Sequence, residues 1–219
     1  MKAMILAAGE GRRMRPLTLE TPKPLLQVRG VSLIEHHIRR LKDVGIHDLV
    51  INVAYLGEKI RTALGDGAHL GVSIQYSIEP EPLETAGALL HALPLLGEEP
   101  FLLINGDVWT DYPFAKLTEQ PPLGHGHLVL VPNPPHKAGG DFSLDPEGGV
   151  QILGESGFTF SGISLLSPQL IRDYPHPRRQ FPLREVFEWA IQHSALTGEL
   201  FTGTWCDVGT PERLAELNG

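Results

Sequence analysis

The sequence predicts an α/β fold with a mostly parallel central sheet, and three observations predict it. Short apolar runs alternate with amphipathic segments through the first half of the chain. A glycine-rich turn, "LAAGEGRRMRP", follows the first apolar run at once. The length of 219 residues, 42% hydrophobic and 20% charged, supports one sizeable core but would crowd two.

The elements follow in order. Ala3–Ala8 is an apolar run of strand length. Leu33–Val44 follows as a helix, whose start is marked by Ser32 with Glu35 three residues later, a capping box ahead of Ile34, Ile38 and Leu41. Leu49–Val53, Leu56–Leu64, Val72–Tyr76, Ala86–Leu96 and Phe101–Asn105 continue the alternation of strand and helix. Beyond Asp107 the pattern loosens. "PPLGHG", "VPNPPHKAGG" and "DPEGG" punctuate short strands, Phe158–Leu166 reads as one more, and this half is expected as strands and loops laid over the sheet. Two helices close the chain, Pro182–His193 and Pro211–Leu217, the second with Thr210 as N-cap and Pro211 in its first position. No repeat, low-complexity segment or long linker divides the sequence, so one domain spanning 1–219 is expected.

Charge and composition narrow the function classes. A net charge of −8 argues against nucleic acid as a partner, so positive charge must be concentrated locally. The single cysteine, Cys206, excludes an intrachain disulfide framework and fits a reducing compartment. Lys2 and Ala7-Ala8-Gly9 imitate the ends of a signal peptide, but the apolar run between them is too short. No stretch approaches the roughly 18 consecutive apolar residues of a membrane span. A soluble, cytoplasmic protein with no membrane association is expected, and nothing indicates an obligate protein partner.

In open α/β sheets, ligands bind beyond the carboxyl ends of the strands. Gly9-Glu10-Gly11 follows the first strand, and "INGDVW" places Asp107 just after the fourth, so both should face one crevice. Glycines that let backbone amides approach a ligand, followed by Arg12, Arg13, Arg15 and then Lys23, point to an anion carrying several phosphates. A dinucleotide fingerprint is excluded because Met14 stands where its third glycine belongs, and the P-loop pattern is absent. A plain glycine turn with solvated arginines is the ordinary alternative for a lone G-x-G.

The longer pattern decides against that alternative. "LAAGEGRRMRPLTLETPKPLL" resembles the opening signature of the sugar-1-phosphate nucleotidylyltransferases, A-G-x-G-x-R-[M/L]-x-P followed by P-K-P. "ETAGAL" at 84–89, "INGD" at 104–107, "SGISLLSP" at 161–168 and "WCDVGTP" at 205–211 recur in the family's order, so the resemblance spans almost the whole chain. It implies a Rossmann-like nucleotidyltransferase domain, with 1–107 mainly binding nucleotide and 108–219 mainly binding sugar phosphate. Within the family, the compact length, "ETAGALL", "GGDFSLD" and "FTFSGISLLSP" look most like the short uridylyltransferases of bacterial cell-wall recycling, which carry no added C-terminal acetyltransferase or β-helix domain. The implied substrates are UTP and N-acetylmuramate α-1-phosphate, and the implied metal is Mg²⁺.

The chemistry accounts for the residue types. A sugar-1-phosphate oxygen attacks the α-phosphorus of the triphosphate in line and pyrophosphate leaves. The attacking phosphate is already ionised, so charge neutralisation and alignment are needed rather than a side-chain nucleophile. By resemblance, Gly11, Arg12 and Arg13 loop around the triphosphate. Arg13, at the motif arginine, would screen the leaving pyrophosphate, and Lys23 would touch the α-phosphate. Arg12 and Arg15 stand at variable positions, where a surface role is an equal reading. Asp107 and Asp207 are the Mg²⁺ candidates, since that ion takes hard oxygen ligands through one or two carboxylates. Only the family pattern brings them together, and Asp207 could instead cap a helix.

Other positions also transfer by resemblance. Ala8 and Gly9 would pack on base and ribose, and Glu79, Thr85 and Gly87 would meet the base, with helix capping the alternative for Thr85. Gly140 and Glu155 fall near the sugar, although Ser156 stands where family members carry a lysine. Asn105 and Trp205 flank the two aspartates as substrate contacts, with a core role the alternative for Trp205. His36-His37 lack the i, i+4 spacing of helical zinc ligands. Cys206 reads as filler, and Asp111 and Asp141 as loop or cap residues. The expected reaction is uridylyl transfer to a sugar 1-phosphate. Another sugar 1-phosphate, phosphocholine with CTP, or a catalytically silent regulator that binds nucleotide or sugar are the alternatives.

Overall fold

The computed structural model describes residues 1–119, 124–137, 139–152 and 157–219. Seven strands form one sheet: β1 (Lys2–Leu6), β2 (Asp48–Val53), β3 (Ser73–Ile78), β4 (Phe101–Asn105), β5 (Gly126–Val131), β6 (Thr159–Leu166) and β7 (Leu196–Leu200). Their spatial order is β7-β5-β6-β4-β1-β2-β3, and only β6 runs against its neighbours. The expected α/β class and mostly parallel sheet are therefore present. The second half departs from expectation, because β5, β6 and β7 extend the sheet itself. Two short ribbons stand apart from it in that stretch, Phe142–Leu144 with Val150–Ile152 and Val108–Thr110 with Trp205–Asp207.

Alternate residues of the inner strands are buried on opposite faces, as a sheet covered on both sides requires. Met4 and Val50 enter one core, with helix α3 (Glu84–Leu96) and the later helices Pro168–Asp173 and Leu183–Gln192. Ala3, Ile5, Leu49 and Ile51 enter the other, with α1 (Leu33–Asp43) and α2 (Gly57–Leu64). The start of α1 is capped as its sequence predicts, Ser32 Oγ accepting from Glu35 N at 3.4 Å. The reciprocal half of the box is replaced by an i, i+4 pair from Glu35 to Arg39. Thr210 likewise caps the helix Pro211–Asn218.

A third, smaller core matters most for the site. Met14, Leu26, Val28, Leu33 and Val208 pack together, with Leu214 and Leu217 against them. It ties the loop after β1 to the last helix. Asn218 adds two bonds, donating to Gln27 O and accepting from Arg29 N. The segment after β1 and the last helix thereby hold one another.

Candidate active site

The chain turns from β1 outward to β2 and β3, then crosses back to place β4 on the other side of β1. A crevice opens at such a reversal, beyond the strand ends. Leu6 and Asn105 are in register, and Gly106 N donates to Leu6 O at 2.9 Å. A Cβ on Gly106 would lie 2.6 Å from that same carbonyl, so only glycine lets the two strand ends close up this tightly.

The loop after β1 turns at Gly11, whose φ of +61° lies in the left-handed region that glycine adopts without strain. Thr18 Oγ1 holds the turn by donating to Gly11 O at 2.8 Å. Of the arginines, Arg12 is tied to Glu10 at 2.6 Å and Arg15 lies 3.7 Å from the same carboxylate. Arg13 is exposed and makes no ion pair among the described residues. It borders a hollow of about 270 Å³ together with Gly9, Gly11, Lys23, Asp107 and Gly209.

The adjoining crevice, about 300 Å³, is walled by Ala7, Ala8, Gly9, Lys23, Asn105 and Asp107 on one side and by Glu79, Leu83 and Thr85 on the other. A residue missed at the sequence level, Asn52, joins the two walls. Its Oδ1 accepts from Ala7 N at 2.8 Å and its Nδ2 donates to Glu79 Oε1 at 2.7 Å. Glu79 Oε2 in turn accepts from Leu83 N. Glu79 is 5% exposed, and burial pushes its carboxyl above the usual range against the opposing pull of Asn52 and Leu83 N. The signal for Asn52 was available: a lone amide at the carboxyl end of the apolar run "LVINV". Thr85 does not cap α3, whose N-cap is Leu83. Gly87 is not among the residues that wall the crevice. A Cβ there would sit 2.5 Å from Arg179 O, so its missing side chain serves packing.

The two aspartates are brought side by side by a ribbon of three residues a strand, Val108–Thr110 against Trp205–Asp207. Asp207 is in register with Val108, and Val208 N donates to Asp107 O at 2.8 Å. Lys23 Nζ, whose side chain is 10% exposed, lies 2.5 Å from Asp107 Oδ2. Asp207 Oδ1 accepts from Arg213 Nη1 and stands 3.1 Å from His136 Nε2. Two carboxylates from neighbouring positions offer the hard oxygen ligands that suit Mg²⁺. Among the described residues, no group of three or more His, Cys, Asp or Glu is arranged to hold a metal, so this pair would need phosphate or water oxygens beside it.

Of the expected sugar contacts, Asn105 faces the crevice, while Trp205 Nε1 donates to Ser161 O at 2.9 Å. Gly140 packs on backbone, since a Cβ there would come within 2.4 Å of Gly157 C. Glu155 and Ser156 lie outside the described residues. His36 is bonded to Val28 O, and His37 is buried with its pKa pushed down to about 4, chiefly by that burial. Cys206 is half-buried, and burial, reinforced by Asp207, raises its thiol. Asp111 holds Thr204 N as a loop residue should. Asp141 does more than expected. It accepts from Phe160 N at 2.9 Å and faces a second cavity of about 230 Å³, with Phe142, Phe160, Phe187 and Arg184, that shares Thr85 and Asn105 with the first.

No helix is long and apolar enough to cross a membrane among the described residues. A family model described as "Nucleotidyl transferase" matches residues 2–219. N-acetylmuramate alpha-1-phosphate uridylyltransferase of Neisseria meningitidis is 48% identical over 99% of this chain and 96% of its own. Mannose-1-phosphate guanyltransferase of Yarrowia lipolytica is 34% identical over 97% of this chain, which spans only 61% of that protein. Among solved structures, a Bacillus anthracis chain in complex with sucrose superposes with a TM-score of 0.88 at 24% identity, covering 100% of this chain and 94% of that one, and shares the fold.

Proposed function

From the premise that this chain belongs to the nucleotidyl transferase family, we propose that it transfers a uridylyl group from UTP to N-acetylmuramate α-1-phosphate, forming UDP-N-acetylmuramate and releasing pyrophosphate. The observation that carries the reading is identity of 48% along nearly the whole of both chains, with the uridylyltransferase of N. meningitidis. The site geometry is consistent with it. The nucleotide would lie in the crevice between β1 and β4, base toward the Asn52–Glu79–Leu83 wall and phosphates toward the glycine loop. A product that serves cell-wall recycling would be made in the cytoplasm.

The residues then divide the work by charge. Backbone amides around Gly11 and the guanidinium of Arg13, which has no ion pair among the described residues, face the β- and γ-phosphates, where negative charge builds as pyrophosphate leaves. Lys23, at the junction of the hollow and the crevice, reaches the α-phosphate. Asp107 and Asp207 would hold Mg²⁺, which when bound supplies further neutralisation of the phosphates. Asn105 and Thr85, shared by both cavities, orient the sugar phosphate for in-line attack. Pyrophosphate release measured across UTP, ATP, CTP and GTP with a panel of sugar 1-phosphates tests the reading. It requires UTP with N-acetylmuramate 1-phosphate to be the fastest pair, and a faster pair replaces it.

A further inference from the structure

The second cavity holds residues that uridylyl transfer does not use. Three phenylalanines from three elements form its wall: Phe142 from the small ribbon, Phe160 from β6 and Phe187 from the helix Leu183–Gln192. Phe187 meets both others edge to face, at 6.1 and 5.5 Å between centroids, so the wall is braced and presents apolar surface. At its rim stands Arg184, with a side chain 54% exposed. Its Nε donates to Glu188 Oε1 at 2.8 Å, on the same helix face one turn on. Its Nη1 comes no closer than 3.7 Å to Asp141 Oδ1, which is outside hydrogen-bond range. Asp141 is already engaged through Oδ2, by Lys137 Nζ and by Phe160 N. The outer edge of the guanidinium thus keeps its donors unused among the described residues, beside an apolar cavity that shares Thr85 and Asn105 with the nucleotide crevice.

A planar fork of donors next to apolar surface matches a carboxylate carried on a short apolar arm. We propose that Arg184 is the specificity residue that binds the lactyl carboxylate of the sugar 1-phosphate, with Phe142, Phe160 and Phe187 receiving the methyl groups of the sugar's substituents. This rests on the uridylyltransferase reading above, in which the sugar carries a carboxylate. The two cavities together fall in the several-hundred-Å³ range of small-ligand sites. Arg184 lines neither the crevice nor the hollow that Lys23, Asp107 and Arg13 border, so it selects the substrate without taking part in the transfer.

The test compares N-acetylmuramate α-1-phosphate with its carboxyl methyl ester in the purified full chain, for wild type, Arg184→Ala and Arg184→Lys. The expected result is a KM for the acid raised roughly ten- to thirtyfold in Arg184→Ala, the scale of a lost charge-assisted pair, with kcat and the KM for UTP little changed. Wild type should prefer the acid over the ester by a similar factor. Arg184→Ala should treat the two alike, and Arg184→Lys should recover part of the preference. If wild type turns over the acid and Arg184→Ala still distinguishes acid from ester, the assignment of Arg184 is overturned while the proposed function stands. If wild type does not turn over the acid at all, the proposed function fails and Arg184 loses its ligand with it.

Discussion

Lys23 Nζ lies 2.5 Å from Asp107 Oδ2, so the lysine of the loop after β1 closes directly on the carboxylate that follows β4. The same pairing recurs beside it, where Arg213 holds Asp207. Each carboxylate proposed to hold metal is therefore neutralised by a basic side chain of the protein itself. A triphosphate with its metal offers all four groups stronger partners: phosphate oxygens for the cations and a divalent ion for the carboxylates. Binding of nucleotide and metal should accordingly be coupled, each releasing the groups that the other needs.

Lys23→Ala separates the two roles of that contact. Asp107 is 37% exposed on its side chain, so solvent screens the pair from that side and its contribution to stability is on the order of 1 kcal/mol even with Lys23 only 10% exposed. The variant should fold, and turnover should fall roughly 10²-fold or more, the scale of losing one positioned electrostatic stabiliser. Mg²⁺ binding to the nucleotide-free protein should strengthen, because Asp107 no longer has a competing cation. Calorimetric titration alongside pyrophosphate release measures both, and near-normal turnover would remove Lys23 from the transfer machinery and leave it as the buried partner of Asp107.

Arg13→Ala removes the motif arginine that makes no ion pair among the described residues, whereas Arg12→Ala removes one already held by Glu10. Turnover should drop roughly 10²-fold in the first and only severalfold in the second. Equal losses in steady-state rates would mean that Arg12 leaves Glu10 for the phosphates and that the observed pairing does not sort the two.

Much of this site is legible in the sequence, because the relevant signals are local. Ser32 and Thr210 announce their helices, Gly9–Gly11 announces the turn after β1, and "NGD" marks the end of β4. What escapes is long-range or short. The ribbon joining Asp107 to Asp207 is three residues on each strand and has no periodicity to detect. β7, "LTGEL", is an edge strand carrying Gly198, whose bare backbone is required because a Cβ would lie 2.9 Å from Leu128 O. Arg184 and the three phenylalanines around its cavity come from separate segments, and only the fold assembles them.

Glu79 predicts a pH dependence of stability. Burial raises its folded pKa above the unfolded value, so the native state holds its proton more tightly than the unfolded chain. Stability from this group is fully present below the unfolded pKa and is lost as pH rises through the folded one. Glu79→Gln cannot ionise, so the stability of wild type relative to this variant should decline as pH rises from about 4 toward neutrality, then level off. Urea unfolding at a series of pH values gives the difference. A constant or rising value would show that Asn52 and Leu83 N outweigh burial.

Two glycines of the nucleotide half should respond in opposite ways to the same added methyl group. A Cβ on Gly87 would lie 2.5 Å from Arg179 O and 3.2 Å from Leu83 Cβ, inside a buried contact between α3 and the segment before the helix Leu183–Gln192. Gly87→Ala should therefore lower stability by about 1–3 kcal/mol through overpacking, while the fraction that remains folded keeps its KM for UTP. A Cβ on Gly9 meets no protein atom within 4 Å, and Gly9 borders the crevice. Gly9→Ala should leave the melting temperature almost unchanged and raise the KM for UTP roughly tenfold or more, since the methyl group occupies space that base and ribose require. Thermal unfolding and steady-state kinetics on both variants separate packing from binding. A Gly9→Ala protein with unaltered KM would move the nucleotide off this wall of the crevice, and a Gly87→Ala protein of unaltered stability but weakened UTP binding would restore Gly87 as a nucleotide contact.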